Sequence, residues 1–383
     1  MPAEDQLRIG MIGYGFMGRA HSQAWLLAAR AFELPVRPEL TVVAGRNEQA
    51  VESFADTWGW AATDRDWRRV VERDDVDLID ICAPGDQHRE IALAALAAGK
   101  HVLCEKPLAN SVAEAEEMTA AAEAARGRGA RSMVGFSYRR TPALALAREW
   151  VAQGRLGTIR HIRAAYLQDW IVDPNFPLVW RLQREAAGSG ALGDIGAHVV
   201  DLAQFLTGQR ITGVSAITET FVKERPLSDG TGRGPVTVDD ASLFLARTDG
   251  GALATFEATR FATGRRNAMR IELNGSAGSV AFDFERSNEV HFFDNTDDSA
   301  LAGFKRVQST EPEHPYLSGW WPPGHGLGYD HTFVNQARDL IVAIAADTDP
   351  EPSFADGLQI QRVLAAVEAS AANSSTWTPI AGA

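Results

Sequence analysis

Residues 7–18 read Leu7-Arg8-Ile9-Gly10-Met11-Ile12-Gly13-Tyr14-Gly15-Phe16-Met17-Gly18, an apolar run followed at once by glycines at G-x-G-x-x-G spacing. Leu7, Ile9, Met11 and Ile12 predict a buried strand, and Arg19 to Arg30 predict a helix, so the glycines lie where strand turns into helix. At that junction Gly13 allows a tight turn, Gly15 lets the backbone approach a pyrophosphate, and Gly18 lets helix and strand pack closely. The phosphates then meet free N–H groups at the positive end of the helix dipole. Tyr14, Phe16 and Met17 fill the same loop and count with the three glycines as candidate cofactor contacts. A glycine-rich turn that binds nothing is the plain alternative, and the flanking strand and helix weigh against it.

Outward from this stretch, strand and helix signals alternate as far as Tyr138. Strands are predicted at Leu40–Ala44, Leu78–Ala83, His101–Cys104 and Ser132–Phe136, and helices at Glu48–Trp58, Asp66–Glu72, His88–Ala98 and Ser111–Arg126. This is the βαβ rhythm of a doubly wound parallel sheet of Rossmann type, expected over residues 1–138. Ser111-Val-Ala-Glu114 has the capping-box pattern, and Gly127 suits the end of that helix.

The texture changes after a helical stretch at Thr141–Gln153. Strands are predicted at Ile159–Leu167, Val214–Phe221, Ala241–Arg247, Ala252–Thr259, Met269–Asn274 and Ser279–Phe284, joined by turns such as Asp249-Gly250-Gly251 and Asn274-Gly275. Short turns between successive strands imply a largely antiparallel open sheet, flanked by helices at Ala197–Leu206, Tyr329–Ala345 and Gly357–Ala371. Residues 139–383 thus read as a second, α+β domain for substrate binding and oligomerisation. Long loops at Lys223–Pro235 and Thr310–Gly328, rich in Gly, Pro, Trp and His, favour an ordered role near a site.

At 383 residues, two domains are the natural expectation. Hydrophobic content of 45% and charged content of 23% suit a soluble globular chain. A net charge of −13 argues against nucleic-acid or anionic-membrane partners, so an anionic ligand must meet local positive charge. Cys82 and Cys104 sit in apolar runs that read as neighbouring strands, which points to buried thiols in a reducing cytoplasm rather than a disulfide or metal site. The polar start Met1-Pro-Ala-Glu-Asp-Gln6 leaves no room for a signal peptide, and no apolar run is long enough to span a bilayer.

Three further stretches carry candidate chemistry. Ala83-Pro84-Gly85-Asp86-Gln87-His88 follows a strand at its carboxyl end, where an open α/β sheet binds its ligand, and Ala83, Pro84 and His88 are candidate cofactor contacts. Glu105-Lys106-Pro107 follows the next strand in the same way, which adds Glu105 and Lys106 to the candidate cofactor contacts and aims Lys106 into that crevice; a solvated loop lysine is the alternative. Gly188 to Asp201 includes Asp194 and His198, four residues apart and on one face if a helix begins there. A histidine beside a carboxylate can be held in one tautomer and act as a general base; a capping Asp with a core histidine is the alternative.

Taken together, these stretches resemble the Gfo/Idh/MocA oxidoreductases over nearly the whole chain. The carriers are Gly13-x-Gly15-x-x-Gly18, Pro84 to His88, Glu105-Lys106-Pro107 and Gly193-Asp194-x-Gly196-x-His198-x-x-Asp201. Tyr138 to Pro142, Leu167 to Trp170, Glu257 to Arg260 and Pro352 to Gly357 are similar to stretches of members that oxidise a carbohydrate, which suggests reaction at a C3 hydroxyl. The resemblance implies that His198 takes the hydroxyl proton, Asp194 partners it, and Lys106 hydrogen-bonds the same hydroxyl while hydride leaves for a nicotinamide; no metal is implied.

Substrate contacts are expected from Lys106, Tyr138, Arg139, Gln168, Asp169, Trp170, Arg181, Asp194, His198, His325 and Tyr329, with Trp320 and Trp321 in the same aromatic loop. Aromatic faces with a few polar groups suit a sugar. After the second strand, Val43-Ala44-Gly45-Arg46-Asn47 has no acid for the ribose hydroxyls. Arg46 leaves NADP open, whereas the resemblance favours NAD. Family members also include NAD-dependent glycoside hydrolases that oxidise C3 transiently, and Arg139 and Arg181 keep an anionic sugar in play. A non-catalytic cofactor sensor is a further rival, against which Lys106, Asp194 and His198 stand together. An open antiparallel sheet must hide one face, and family members do so as homodimers or homotetramers.

Overall fold

The computed structural model describes residues 6–382; residues 1–5, most of the polar start, and residue 383 lie outside the described residues. The chain divides into two compact units. One runs to Arg140 and takes in Ser318–Trp320 and Gly328–Leu358. The other comprises Thr141–Leu317, Trp321–Leu327 and the residues from Gln359 onward. Among the described residues no helix is long and apolar enough to cross a membrane.

In the first unit, β1 (Gln6–Ile12), α1 (Phe16–Ala31), β2 (Arg37–Ala44), α2 (Glu48–Trp58), β3 (Ala62–Asp64), α3 (Trp67–Glu72), β4 (Leu78–Ile81), α4 (His88–Ala97), β5 (His101–Cys104), α5 (Val112–Arg126) and β6 (Ser132–Val134) follow in order. The strands form one parallel sheet ordered β3-β2-β1-β4-β5-β6, so the topology reverses between β1 and β4. Both strands are buried on both faces, which is why they read as apolar runs without alternation. The short β3 carries no such run and was not expected. Capping fixes the helix starts: the Asn47 side chain accepts the Ala50 N–H, and Ser111 Oγ accepts that of Glu114. The Glu114 carboxylate returns to the Ser111 hydroxyl and the Asn110 N–H, a variant of the expected box. Trp25, Leu40, Phe54 and Leu78 share a core with Phe333, Leu340 and Ile341, so the helix Tyr329–Ala345 belongs to this unit.

The second unit carries α6 (Pro142–Ala152), β7 (Ile159–Leu167), α7 (Arg184–Ala187), α8 (Ala197–Thr207), β8 (Ile211–Glu219), β9 (Glu224–Pro226), β10 (Arg233–Pro235), β11 (Ala241–Thr248), β12 (Leu253–Thr259), β13 (Ala268–Gly275), β14 (Gly278–Asp283), β15 (Glu289–Asp294), β16 (Lys305–Gln308) and β17 (Thr378–Pro379). Its large sheet is ordered β16-β15-β14-β13-β7-β12-β11-β8-β17. Every neighbouring pair is antiparallel except β7 with β12. Three strands of this sheet, β15, β16 and β17, lie outside the sequence expectation because they are short or half-exposed. Lys223–Pro235, expected as a long loop, contains the β9–β10 hairpin: Gly234 pairs with Arg225, whose buried guanidinium bonds the Ile171 and Asp173 carbonyls. The final helix spans Phe354–Ala372, one turn earlier than its apolar pattern suggested, because Ser353 and Asp356 bond each other as a cap.

Candidate functional site

The glycine loop closes β1 onto α1. Gly13 N–H donates to Ala44 O, and Gly13 adopts a φ of +103°, where a Cβ would come within 2.6 Å of Cys82 O. A Cβ on Gly18 would come within 2.5 Å of Gly13 O, whereas one on Gly15 would meet nothing within 4 Å. Gly13 and Gly18 are therefore demanded by the fold itself, and the room above Gly15 remains as a cradle for a phosphate at the free N–H groups of α1. A nicotinamide dinucleotide fits these residues. Phe16 is exposed and stacks on Tyr329, with ring centroids 6.3 Å apart, while Met17 packs against the core. Arg46 is exposed just past β2, and the Tyr14 ring lies where a Cβ on Gly45 would fall.

Beyond β4 and β5 the two expected loops are tied together by His88. Its Nε2 lies 3.0 Å from Ala83 O and its Nδ1 3.0 Å from Pro107 O. Burial holds its pKa below the usual imidazole value against the pull of both carbonyls, so the ring is neutral near neutral pH. A neutral ring carries one N–H, so His88 donates to one of these carbonyls and packs its other nitrogen against the second, filling the space between the Ala83-Pro84 and Lys106-Pro107 loops. Glu105 is buried and Lys106 half-buried. Cys82 and Cys104 are free thiols, and burial pushes the Cys82 thiol up to about 12 with help from Asp80.

In the second unit Asp194 does not lie in an ordinary α-turn. Leu192–Gly196 forms a π-helical turn, and α8 begins only at Ala197. The turn is anchored by the Asp239 carboxylate, which accepts the Gly190 and Leu192 N–H groups. Arg260, fully buried at the end of β12, sets its guanidinium 3.7 Å from the Asp194 carboxylate, donates to Asp239 O and stands over the Trp170 ring. His198 is buried on α8 with the Tyr166 ring 6.0 Å away; the Tyr166 hydroxyl and the Gln168 amide both donate to Asn267 Oδ1. Asn267 sits in no recognisable spacing, and Arg260 enters the motif reading only as the last residue of the Glu257–Arg260 stretch, with no role attached; each side chain is brought in from another strand or loop.

Among the remaining candidates, Asp169 engages both oxygens with the turn at 264–266, through the Gly264 N–H and the Arg266 guanidinium. Arg181 lies over the Trp180 ring, and His325 Nδ1 is 2.8 Å from Pro322 O on an exposed loop. Tyr138 and Arg139 are buried in the turn Ser137–Arg140, with the Tyr138 ring 6.2 Å from that of Tyr329. Trp320 packs on Phe32 and His331, and Trp321 is exposed.

The chain is similar to known proteins along nearly its whole length. Residues 7–136 match an oxidoreductase family with an NAD-binding Rossmann fold, and residues 144–281 match the GFO/IDH/MocA C-terminal domain. The chain belongs to the Gfo/Idh/MocA oxidoreductase family. Its similarity to a levoglucosan dehydrogenase of Pseudarthrobacter phenanthrenivorans is 41% identity over 98% of each protein. An inositol 2-dehydrogenase of Rhizobium meliloti is 27% identical over 92% of this chain and 93% of the relative. Among solved structures, an oxidoreductase domain protein from Kribbella flavida superposes with a TM-score of 0.96 at 64% identity, covering 98% of this chain and 99% of that one. A levoglucosan dehydrogenase in complex with NADH and levoglucosan gives 0.94 at 42% over the same shares. As a Gfo/Idh/MocA member, the chain is an NAD-dependent oxidoreductase similar to a sugar dehydrogenase.

Proposed function

We propose that the protein oxidises a secondary hydroxyl of a pyranose or anhydrosugar, at C3, with residues 1–138 carrying the dinucleotide, Lys106 and Tyr138, and residues 139–383 the other substrate contacts. The observation that carries this reading is the full-length likeness to a levoglucosan dehydrogenase whose structures hold NADH and the sugar. NAD, when bound, accepts the hydride from the sugar carbon. His198 takes the hydroxyl proton, so the alcohol loses hydride and proton together and becomes a ketone. Asp194 orients the imidazole and offsets its charge once protonated, while Arg260 balances the Asp194 carboxylate. The Lys106 ammonium donates to the same oxygen and stabilises the developing alkoxide. Tyr138, Arg139, Gln168, Asp169, Trp170, Arg181, His325 and Tyr329 are proposed around the remaining hydroxyls. We assign NAD rather than NADP on family grounds; dissociation constants for the two cofactors test whether Arg46 overrides them.

The decisive assay incubates the purified protein with NAD and a panel of anhydrosugars, glycosides and inositols. Accumulation of NADH with a free sugar supports the reading, and C3 is established by locating the ketone. Release of an aglycone without net cofactor reduction would replace it by the transient-oxidation glycosidase. Lys106→Ala and His198→Ala are expected to retain NADH binding and to lower kcat by about 10²–10⁴-fold; near-normal turnover in either would remove that residue from the mechanism.

The protein is placed in the cytoplasm, where its two thiols stay reduced, and its partner is a second copy of itself. Ile217 pairs in register with Leu243 on one face of the large sheet, and Leu245 follows on the same face; all three are exposed. Pairing two such faces into a homodimer, or two dimers into a tetramer, covers this apolar surface. Light scattering of the purified protein checks the assembly.

A further inference from the structure

Next to Lys106 in sequence, Glu105 leads into a buried ionic cluster that none of the proposed steps uses. His21 on α1 places Nδ1 2.9 and 3.0 Å from the two Asp80 oxygens and Nε2 3.0 Å from Glu105 Oε1. All three residues are buried. Asp80, a charge in the middle of the apolar strand β4, also accepts the Trp25 indole N–H at 2.7 Å and faces the Cys82 thiol at 3.6 Å. The second Glu105 oxygen accepts the backbone N–H of Lys106 at 3.3 Å. Gly135 leaves room for this carboxylate, since a Cβ there would come within 2.7 Å of Glu105 Oε1.

We propose that His21 is a positioning residue: clamped between Asp80 and Glu105, it fixes the Glu105 carboxylate and, through it, the peptide that carries the Lys106 amine. Counting protons gives the same answer as geometry. A neutral imidazole has one N–H and one lone pair, so between two carboxylates one contact would set a lone pair against a negative oxygen about 3 Å away. An imidazolium donates on both sides and leaves the trio with a single net negative charge. Burial is the largest single influence and disfavours that charge, but Asp80, by charge and hydrogen bond, and Cys82 together hold the His21 pKa well above the usual imidazole value. The other groups facing the ring are the neutral Cys82 thiol and the Phe333 ring from Tyr329–Ala345. His21, Asp80 and Cys82 also stand at metal-ligand spacing, but a ring with both nitrogens turned to carboxylates has no lone pair to give.

This inference rests on Lys106 being catalytic, and a double-variant cycle separates the two. The four proteins are wild type, His21→Gln, Lys106→Ala and the pair, each assayed for kcat on a sugar from the panel and for NADH affinity by fluorescence. His21→Gln is expected to lower kcat by about 10–100-fold with NADH affinity held within about threefold, and to add nothing in the Lys106→Ala background. Unchanged kcat, or a loss that multiplies with that of Lys106→Ala, would overturn the positioning role. Normal turnover in Lys106→Ala alone would instead sink the catalytic reading of Lys106. Should His21→Gln fail to fold, nitrogen NMR of the wild-type ring decides: both nitrogens protonated at about pH 8 supports the clamp, and a neutral tautomer there refutes it.

Discussion

His21 and His88 are both buried at the carboxyl end of the first sheet, and each has both ring nitrogens about 3 Å from oxygens, yet the oxygens differ in kind. Around His21 they belong to two carboxylates; around His88 they are peptide carbonyls. Burial lowers both pKa values, but the Asp80 carboxylate, with Cys82 beside it, reverses this at His21, whereas two carbonyl dipoles do not at His88, so the two values lie on opposite sides of the usual imidazole value. Identical side chains at one edge of one sheet thus give the proposed charged clamp beside Lys106 and a neutral brace between two loops. What distinguishes them is the charge of their partners, and burial alone would have predicted the same state for both.

The largest break of this contrast is His21→Leu. It leaves Asp80 and Glu105 facing each other without a cation, and removing one member of a buried ionic group costs about 3–5 kcal/mol. Chemical denaturation of the variant should show that loss; a change under about 1 kcal/mol would mean that the carboxylates are not both charged in the wild type. His88→Leu is expected to cost less, about 1–3 kcal/mol, because it removes one neutral hydrogen bond and leaves carbonyls rather than charges unsatisfied. If His88→Leu proved the more damaging, the ranking of charge above dipole at this edge would be wrong.

How much of this edge shows in the sequence follows from the same pair. The glycine spacing and Glu105-Lys106-Pro107 are local patterns that land at strand ends, whereas Asp194, expected on one helix face with His198, falls in the π-turn ahead of α8. Asp80 left a trace as the lone charge in Leu78-Ile79-Asp80-Ile81, but its meaning depends on His21, 59 residues earlier, and Glu105 lies 84 residues beyond that histidine. No spacing rule joins them, because contact across a parallel sheet is set by strand order. The same holds for Arg260, which reaches Asp194 from another strand, and for the π-turn, whose extra residue per turn a helical spacing does not reveal. The position of His88 in a loop that ends a strand suggests a cofactor contact; in the structure both its ring nitrogens face loop carbonyls, which the sequence does not reveal. Tyr329–Ala345 was legible as a helix, but its core partners in the first unit were not, since an apolar stripe does not name the surface it covers.

The finest discrimination between the two histidines is the sign of their pH dependence. An unfolded histidine titrates near pH 6.5. His88, with its folded pKa lowered, contributes stability that is present above that value and is lost as pH falls through the folded pKa, because the unfolded chain then binds a proton the buried ring resists. His21, with its folded pKa raised, contributes stability that is complete below about pH 6.5 and is lost as pH rises through its folded value. Denaturation midpoints measured at a series of pH values should therefore show the gap between wild type and His88→Gln closing on the acid side. The gap to His21→Gln should close on the alkaline side. Each variant has a polar amide in place of the ring, so the slopes report the lost titration more than lost volume. Two slopes of the same sign would show that the carboxylates and carbonyls act alike, and the contrast between clamp and brace would fall with them.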